Sequence, residues 1–432
     1  MTATFKSLLG KLWFRVILGL LLGIVFGLIV GPMGPDNFIG EDGKAILTNY
    51  IKPIGTVFIN LIKMVVIPLI FFALVYGITN MTDDTSFKRV GVKSVAAYLM
   101  TGAFAVVIGI TFAQVFQPGI GLSVEELQAT TGAAITAAKP PAEVSIIKML
   151  VDIVPTNIVK AMADDHVLQV VLFAIFFGIT LNKTRAQTQK LTEVCHAAAF
   201  AMFKLIEMIV KFSPYGVFAL IAWVVGTQGV GIIMLLIKLV LVVFGALLTQ
   251  YMLFGVMILV FCRMSPMPFY KKMIEPQALA FSTSSSKATL STAMRVVNEK
   301  IGVSKSNTSF VLPLGASINM DGTAIYLGIC ALFFSQLYQI PLDTHQYFVL
   351  ILTATLGSIG AAGIPGGSLI MMGMVLTSVG LPLEGIALIA GVDRILDMLR
   401  TTVNITGDSV ITVIVDKSEG TFDQKLYEDM SV

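Results

Sequence analysis

Residues 360–367 read Gly-Ala-Ala-Gly-Ile-Pro-Gly-Gly and stand at the centre of an apolar stretch, 347–379. As one helix that stretch would be about 50 Å long, too long for a bilayer's hydrocarbon core. Pro365 among four glycines breaks it in any case. Its flanks carry Asp343 and Glu384 and no Lys or Arg, so both ends belong outside the cytoplasm. The expectation is a re-entrant helical hairpin. Residues 268–300 repeat the pattern, with Ser282, Thr283, Ser284, Ser285 and Ser286 at the tip. Lys271 and Lys272 precede this stretch's apolar part, and Arg295 and Lys300 follow it, so this hairpin enters from the cytoplasm. Irregular backbone at membrane depth persists only where protein buries it or a watery cavity meets it. Two such tips point to a site that they line together; the alternative for either alone is a kinked span.

The composition agrees with a lipid-solvated chain. Of 432 residues, 56% are apolar and only 13% charged, with a mean hydropathy of +0.87. A soluble domain carries about 25% charged residues. That shortfall excludes an ordinary soluble enzyme, a nucleic-acid binder and a disordered protein. The net charge of +3 names no anionic partner. Cys195, Cys262 and Cys330 lack metal or disulfide spacing, and His166, His196 and His345 form no cluster.

Spans are expected at 16–30, 51–79, 92–117, 196–226, 229–262, 308–338 and 383–415. Lys6, Lys11 and Arg15 place the N-terminus in the cytoplasm. Lys88, Arg89 and Lys93, then Lys183, Arg185 and Lys190, then Arg263, Lys271 and Lys272 mark further cytoplasmic loops. The alternate loops hold Asp36, Glu41 and Asp42, then Glu125 and Glu126, then Asp343. The parity works if 144–182 crosses once, as a span broken at Asp164, Asp165 and His166. Two full crossings would export the Lys183–Lys190 cluster. The fold class is therefore an all-α polytopic membrane protein: eight transmembrane segments plus two re-entrant helical hairpins. The tail from Lys417 to Val432 is polar and is expected to be disordered, and the 118–143 loop carries no assigned role.

Hairpin plus span covers 266–338 and again 341–415. Each unit runs from a polar tip to a helix with Asn and Asp in its middle: Asn319 and Asp321, then Asn404 and Asp408. The units start on opposite sides of the membrane, which is an inverted repeat of the kind secondary transporters use. On the last span, Asp393, Asp397, Arg400, Asn404 and Asp408 fall on one strip at helical spacing, with Thr401 at its edge. Ionisable groups in a span face a cavity or a partner. A buried salt-bridge ladder would explain Arg400 but leave several carboxylates unpaired. Asp321, Asp393, Asp397 and Asp408 stand against Arg394 and Arg400, so unpaired carboxylates need protons or cations. Arg400 suits a substrate carboxylate and Asp397 an ammonium, a pairing that fits an amino acid.

Ser-Thr-Ser-Ser-Ser-Lys-Ala-Thr-Leu (282–290), Asn-Met-Asp-Gly-Thr (319–323), Ala-Gly-Ile-Pro-Gly-Gly (362–367) and Asp-Met-Leu-Arg-Thr-Thr-Val-Asn-Ile-Thr-Gly-Asp (397–408) carry a family likeness. The chain resembles the dicarboxylate/amino acid:cation symporter family over nearly its whole length. The resemblance implies an elevator-type transporter, a homotrimer in the plasma membrane that imports L-aspartate or L-glutamate with sodium as coupling ion. It implies a scaffold at 1–86 and 118–226, a transport domain at 87–117 and 227–416, and a cytoplasmic tail at 417–432. The outer hairpin would act as a gate. By matched position, Arg400 would hold the side-chain carboxylate with Thr323 nearby, and Asp397 the α-amino group with Thr401 beside it. Asn404, Ser285 and Ser286 would hold the α-carboxylate, and backbone at Ile364 and Ser368 would close over the ligand. One sodium group would be Gly315, Asn319, Asn404 and Asp408. A second would be Tyr98, Thr101, Asn319 and Asp321, and a third the backbone near Met320 with Ser358 and Ile359.

Three positions depart from the family pattern. Gly102 replaces a usual Ser or Thr, which removes a ligand beside Tyr98 and Thr101. Leu327 stands where mammalian relatives carry a Glu, which argues against their proton and potassium cycle. Lys287 at the serine tip either substitutes for a site arginine absent at Ser284 and Met398 or is a solvated lysine. Rival functions are proton-coupled glutamate uptake, a C4-dicarboxylate carrier and a neutral amino acid carrier; Asp397 speaks against the second and Arg400 against the third. An intramembrane aspartyl protease would need the context Gly-x-Gly-Asp, but residues 404–408 read Asn-Ile-Thr-Gly-Asp. A passive channel would not need two gates built as a repeat.

Overall fold

Glycines at 19, 23, 27 and 31 put a row of missing side chains on one face of the first helix, Leu12–Val30. That face lies against Ser213–Gln228, where a Cβ at Gly23 or Gly27 would stand 2.7 Å or 2.6 Å from the Phe218 or Ala222 carbonyl oxygen. Such close approach is how helices associate where lipid leaves no hydrophobic driving force. The computed structural model describes residues 12–31, 40–79, 85–121, 151, 154–164, 167–228, 230–361, 367–382 and 386–430, and among these every regular element is a helix. Ile364 and the rest of the 362–366 tip, with Lys6, Asp36, Glu125, Glu126 and Glu384, lie outside the described residues.

Among the described residues, Arg89–Phe116, Ile233–Cys262 and Lys305–Leu337 are long and apolar enough to cross a membrane. The expected break in 144–182 is present: Ile158–Ala163 stops at Asp164, and Val167–Lys183 follows. The expected single span at 196–226 is instead two helices. Arg185–Val210 ends at Lys211, and Ser213–Gln228 restarts with Pro214 in its first turn, where a missing N–H costs no helical bond.

Both hairpin stretches are paired helices. In the first, Ile274–Thr283 and Ser286–Glu299 pack together across a two-residue link. Ser284 takes the left-handed conformation (φ 52°), and the Ser285 hydroxyl caps the return helix by accepting from the Ala288 N–H. In the second, Thr344–Gly360 packs on Gly367–Ser378. Asp343 and Gln346 form a reciprocal capping box at its start.

The expected span at 308–338 is broken. Lys305–Ile318 ends at Asn319, and Asp321–Leu337 begins after Met320. Every residue of the second piece except Gln336 is buried, so it forms the centre of the core. Around it pack Thr85–Phe116, Val230–Met257, Thr344–Gly360 and the last helix, Ile386–Glu419. The two repeat units therefore differ: the last helix runs unbroken for 34 residues.

The tail corrects the expectation of disorder. The last helix continues through Glu419, and Gln424–Glu428 forms a further helix with Tyr427 buried. Asp416 accepts from the Ser304 N–H and hydroxyl, the Asn307 amide and the Thr421 hydroxyl. Lys272 donates to the carbonyls of Lys300, Leu426 and Tyr427 at 2.8, 2.7 and 3.0 Å. Tyr427 donates to the Ser265 carbonyl. Glu419 pairs with Arg89 and Lys93, and these hydrogen bonds, that from Lys93 foremost, hold its carboxyl below the usual range. The polar composition that reads as disorder supplies these partners. Lys272→Met removes the shared donor from three carbonyls and is expected to cost roughly 2–3 kcal/mol. A lower melting temperature of the detergent-solubilised protein and earlier proteolysis beyond Gly420 would register it.

Candidate functional site

The break at Asn319-Met320 brings the carbonyl end of one helix and the N–H end of another to one place, where Asp321 is favoured as the first residue of the second. Asn319 is fully buried; its amide donates to Asp408 Oδ1 at 3.0 Å, and its carbonyl oxygen accepts from the Thr101 hydroxyl at 3.2 Å. Asn404 accepts from the Gly322 N–H at 2.8 Å and donates to the Met320 sulfur. Both asparagines are thus ties between the broken helix and the last one, an arrangement that holds the break open.

Tyr98 is buried and donates to the Val311 carbonyl. A Cβ on Gly315 would stand 2.8 Å from both the Tyr98 oxygen and Asp408 Oδ1, so only glycine fits between them. Asp321 Oδ2 accepts from the Gln250 amide at 3.2 Å. Asp321 Oδ1 and Asp408 Oδ2 are buried and have no hydrogen-bond partner. Among the described residues, neither carboxylate has a Lys or Arg within salt-bridge distance. Ser358 is buried and turns its hydroxyl to the Thr355 carbonyl of its own helix; Ile359 is half-buried. Their helix packs on Asp321–Leu337.

Arg400 is fully buried. Its two terminal nitrogens lie 2.9 Å from Asp393 Oδ1, and Nη2 also reaches Asp397 Oδ1 at 3.1 Å and the Ser368 hydroxyl at 2.7 Å. The guanidinium lies 3.9 Å above the Tyr326 ring. Asp397 Oδ2 faces Arg394 at 3.7 Å, and the Thr401 hydroxyl donates to the Asp397 carbonyl. Arg400 is therefore joined to the second hairpin through Ser368, and also held by carboxylates on its own helix. A ladder thus exists over 393–400, where two aspartates balance two arginines, while Asp321 and Asp408 stay outside it. Asp393, counted from the sequence among the carboxylates that need a proton or cation, is instead paired with Arg400, and neither Tyr326 nor Gln250 stands out in the sequence motifs. A signal existed for Gln250, a lone amide within the apolar helix Val230–Met257.

Ser285 and Ser286 sit at the first tip, whose return helix packs on the last helix; the Ser286 hydroxyl is buried without a partner. Thr323 is buried one turn into the second half of the broken helix. Lys287 is half-buried rather than solvated. The expected substrate residues other than Ile364 thus lie on three neighbouring elements and the first residues of the second hairpin's return helix.

The profile of the sodium:dicarboxylate symporter family matches residues 12–418. The chain belongs to this family. It is a transporter, not an enzyme. The proton/glutamate-aspartate symporter of Escherichia coli is 36% identical over 428 residues, which cover 97% of this chain and 94% of that protein. The proton/sodium-glutamate symport protein of Bacillus caldotenax is 34% identical, with 96% of each chain covered. The C4-dicarboxylate transport protein of Stenotrophomonas maltophilia is also 34% identical, over 96% of this chain and 90% of its own. A family transporter with apolar helices is embedded in a membrane.

Gly315→Ala drives a methyl group against two buried oxygens. Overpacking of this kind costs about 1–3 kcal/mol. The variant is expected to melt earlier and to lose coupled uptake more severely than a control Gly373→Ala variant, whose added Cβ meets only the Ile386 side chain at 3.8 Å.

Proposed function

We propose that this chain is a secondary active symporter that imports L-aspartate or L-glutamate with sodium as the coupling ion. The observation that carries the reading is the pair of fully buried carboxylates, Asp321 and Asp408, each with one oxygen unpartnered and, among the described residues, neither paired with a cationic side chain. A buried charge is costly unless compensated, so these groups call for a small cation. The donors around them are amide, hydroxyl, carboxylate and backbone oxygens, which suit a hard cation. Gly315, Asn319, Asn404 and Asp408 would hold one sodium, Tyr98, Thr101, Asn319 and Asp321 a second, and backbone near Met320 with Ser358 and Ile359 a third.

Cation binding beside Asn319 and Asn404 would fix the ties that set the last helix against the break. That couples the ion to the substrate, because Asp397 and Arg400 lie on the same helix face. Arg400 exchanges part of its contact with Asp393 for the substrate's side-chain carboxylate, and Tyr326 keeps the guanidinium in place. Asp397 and Thr401 receive the α-ammonium; Asn404, Ser285 and Ser286 receive the α-carboxylate, with Thr323 nearby. The second hairpin, tied to Arg400 through Ser368, closes over the ligand with its Ile364 backbone as the gate.

The same reading assigns 87–117 and 227–416 to a moving transport domain and 1–86 and 118–226 to a scaffold, with eight spans, two re-entrant hairpins and both termini in the cytoplasm of a plasma membrane. The exposed apolar side chains of Arg185–Val210, Val194, Phe200 and Met208, give the scaffold a face for lipid or for the other subunits of a homotrimer. Proton coupling is the second reading, favoured by the likeness to the proton/glutamate-aspartate symporter of E. coli. C4-dicarboxylate transport is weakened by Asp397, since such substrates lack an amino group.

Purified protein in liposomes at fixed pH should take up aspartate down an imposed sodium gradient and not with choline in its place. Uptake driven equally by a proton gradient without sodium would select the second reading. Arg400→Cys should weaken aspartate binding roughly 100-fold or more, as expected for truncating one partner of a buried charge pair. Undiminished aspartate uptake by that variant would remove Arg400 from the substrate site. Succinate competing as well as aspartate would move the substrate to the dicarboxylates.

A further inference from the structure

Gln250 is 2% exposed and projects from the apolar helix Val230–Met257 to Asp321, which is fully buried. Its Nε2 donates to Asp321 Oδ2 at 3.2 Å, while its Oε1 is buried with no hydrogen-bond partner. Asp321 Oδ1 is likewise buried and unpartnered. Two orphaned oxygens on two touching side chains in one dry place are each costly. Next to Asp321 Oδ1 is space. A Cβ built on Gly102 would meet nothing closer than the Thr355 methyl at 3.5 Å and Asp321 Oδ1 at 3.8 Å.

We infer that Gln250 is a cation ligand of the Asp321 site and that its carbonyl oxygen supplies the donor which a hydroxyl side chain at position 102 would otherwise give. An amide suits this work because half a turn about its last bond exchanges its N–H end for its C=O end at the same position. With the N–H turned to Asp321, the carboxylate gains a donor. Turned half about, the amide presents its oxygen to a cation held between Gln250 and Asp321, a neutral ligand opposite a charged one. Thr101 is a neighbour of the site, its hydroxyl bonded to Asn319. The helix carrying Gln250 thereby becomes part of the coupling machinery and not only a lipid-facing wall.

This assignment rests on sodium coupling, and the experiment separates the two. Aspartate binding to purified protein is titrated by calorimetry at a series of sodium chloride concentrations, with choline chloride holding ionic strength constant. Gln250→Leu is expected to raise the sodium concentration for half-saturation about tenfold, the scale on which loss of a supporting group weakens a metal site. Aspartate affinity at saturating sodium should stay near the wild-type value, which a merely structural glutamine would not produce. Gln250→Asn keeps the amide but withdraws it by one methylene, and it should shift half-saturation in the same direction if the leucine variant does not fold. Adding Gly102→Ser to either variant should return half-saturation toward the wild-type value, since a hydroxyl fits the space beside Asp321 Oδ1. A sodium-responsive wild type beside Gln250 variants with unchanged half-saturation overturns the assignment alone. A wild type indifferent to sodium overturns the coupling reading and this assignment with it.

Discussion

Asp321 and Asp408 are buried, and among the described residues no Lys or Arg pairs with either. Arg394 and Arg400 are spent on Asp393 and Asp397. Pairing within that ladder leaves the deeper carboxylates to amides, Gln250 for one and Asn319 for the other. A neutral amide satisfies a lone pair without cancelling a charge. The imbalance is thus built into the covalent chain, and the broken helix, the asparagine ties and the glycine contact at 315 all serve to hold two acidic groups where water does not reach.

The asparagines show how one residue type performs two tasks. Asn319 spans from Thr101 to Asp408, and Asn404 spans from the Gly322 N–H to the Met320 sulfur. Each joins elements far apart in sequence. Each also satisfies groups left by the break, where helix-end N–H and C=O have no partners of their own. Structure and site chemistry therefore share the same atoms, and a substitution at either position would disturb both.

The two hairpins are fastened by different contacts. The first is fastened at its base by Lys272, which binds its own far end at Lys300 and the tail at Leu426 and Tyr427. The Arg295–Glu275 pair at 2.5 Å crosses its arms. Among the described residues, the second hairpin bonds the last helix through Ser368, is held at its start by the Asp343 and Gln346 cap and by the Gln346 bond to the Val379 carbonyl, joins its arms through the Thr353 and Ser378 hydroxyls at 3.0 Å, and packs its first helix on Asp321–Leu337.

Much of this was legible in residue order. Apolar length gives the positions of long helices, three of which, among the described residues, are long and apolar enough to cross a membrane, the Ser-rich and Gly/Pro stretches mark the paired helices, and 3.6-residue spacing gives the polar strip from Asp393 to Asp408, because each depends on neighbours along one element. The motifs at 319–323 and 397–408 also carry the family likeness. What the chain order does not disclose is which buried polar atom meets which. The interruption at Asn319-Met320 is stabilised by residues about 85 positions away, between Asp408 and Asn319 or Asn404 and Gly322. The occupation of the Arg400 fork by Asp393, the Tyr326 ring beneath it, the Gln250 amide at Asp321 and the ordered tail are contacts of the same non-local kind. Periodicity fixes the face on which a side chain lies; only the packing of several helices decides the partner it finds there, since burial forces each polar group to take whichever donor or acceptor the neighbouring element presents.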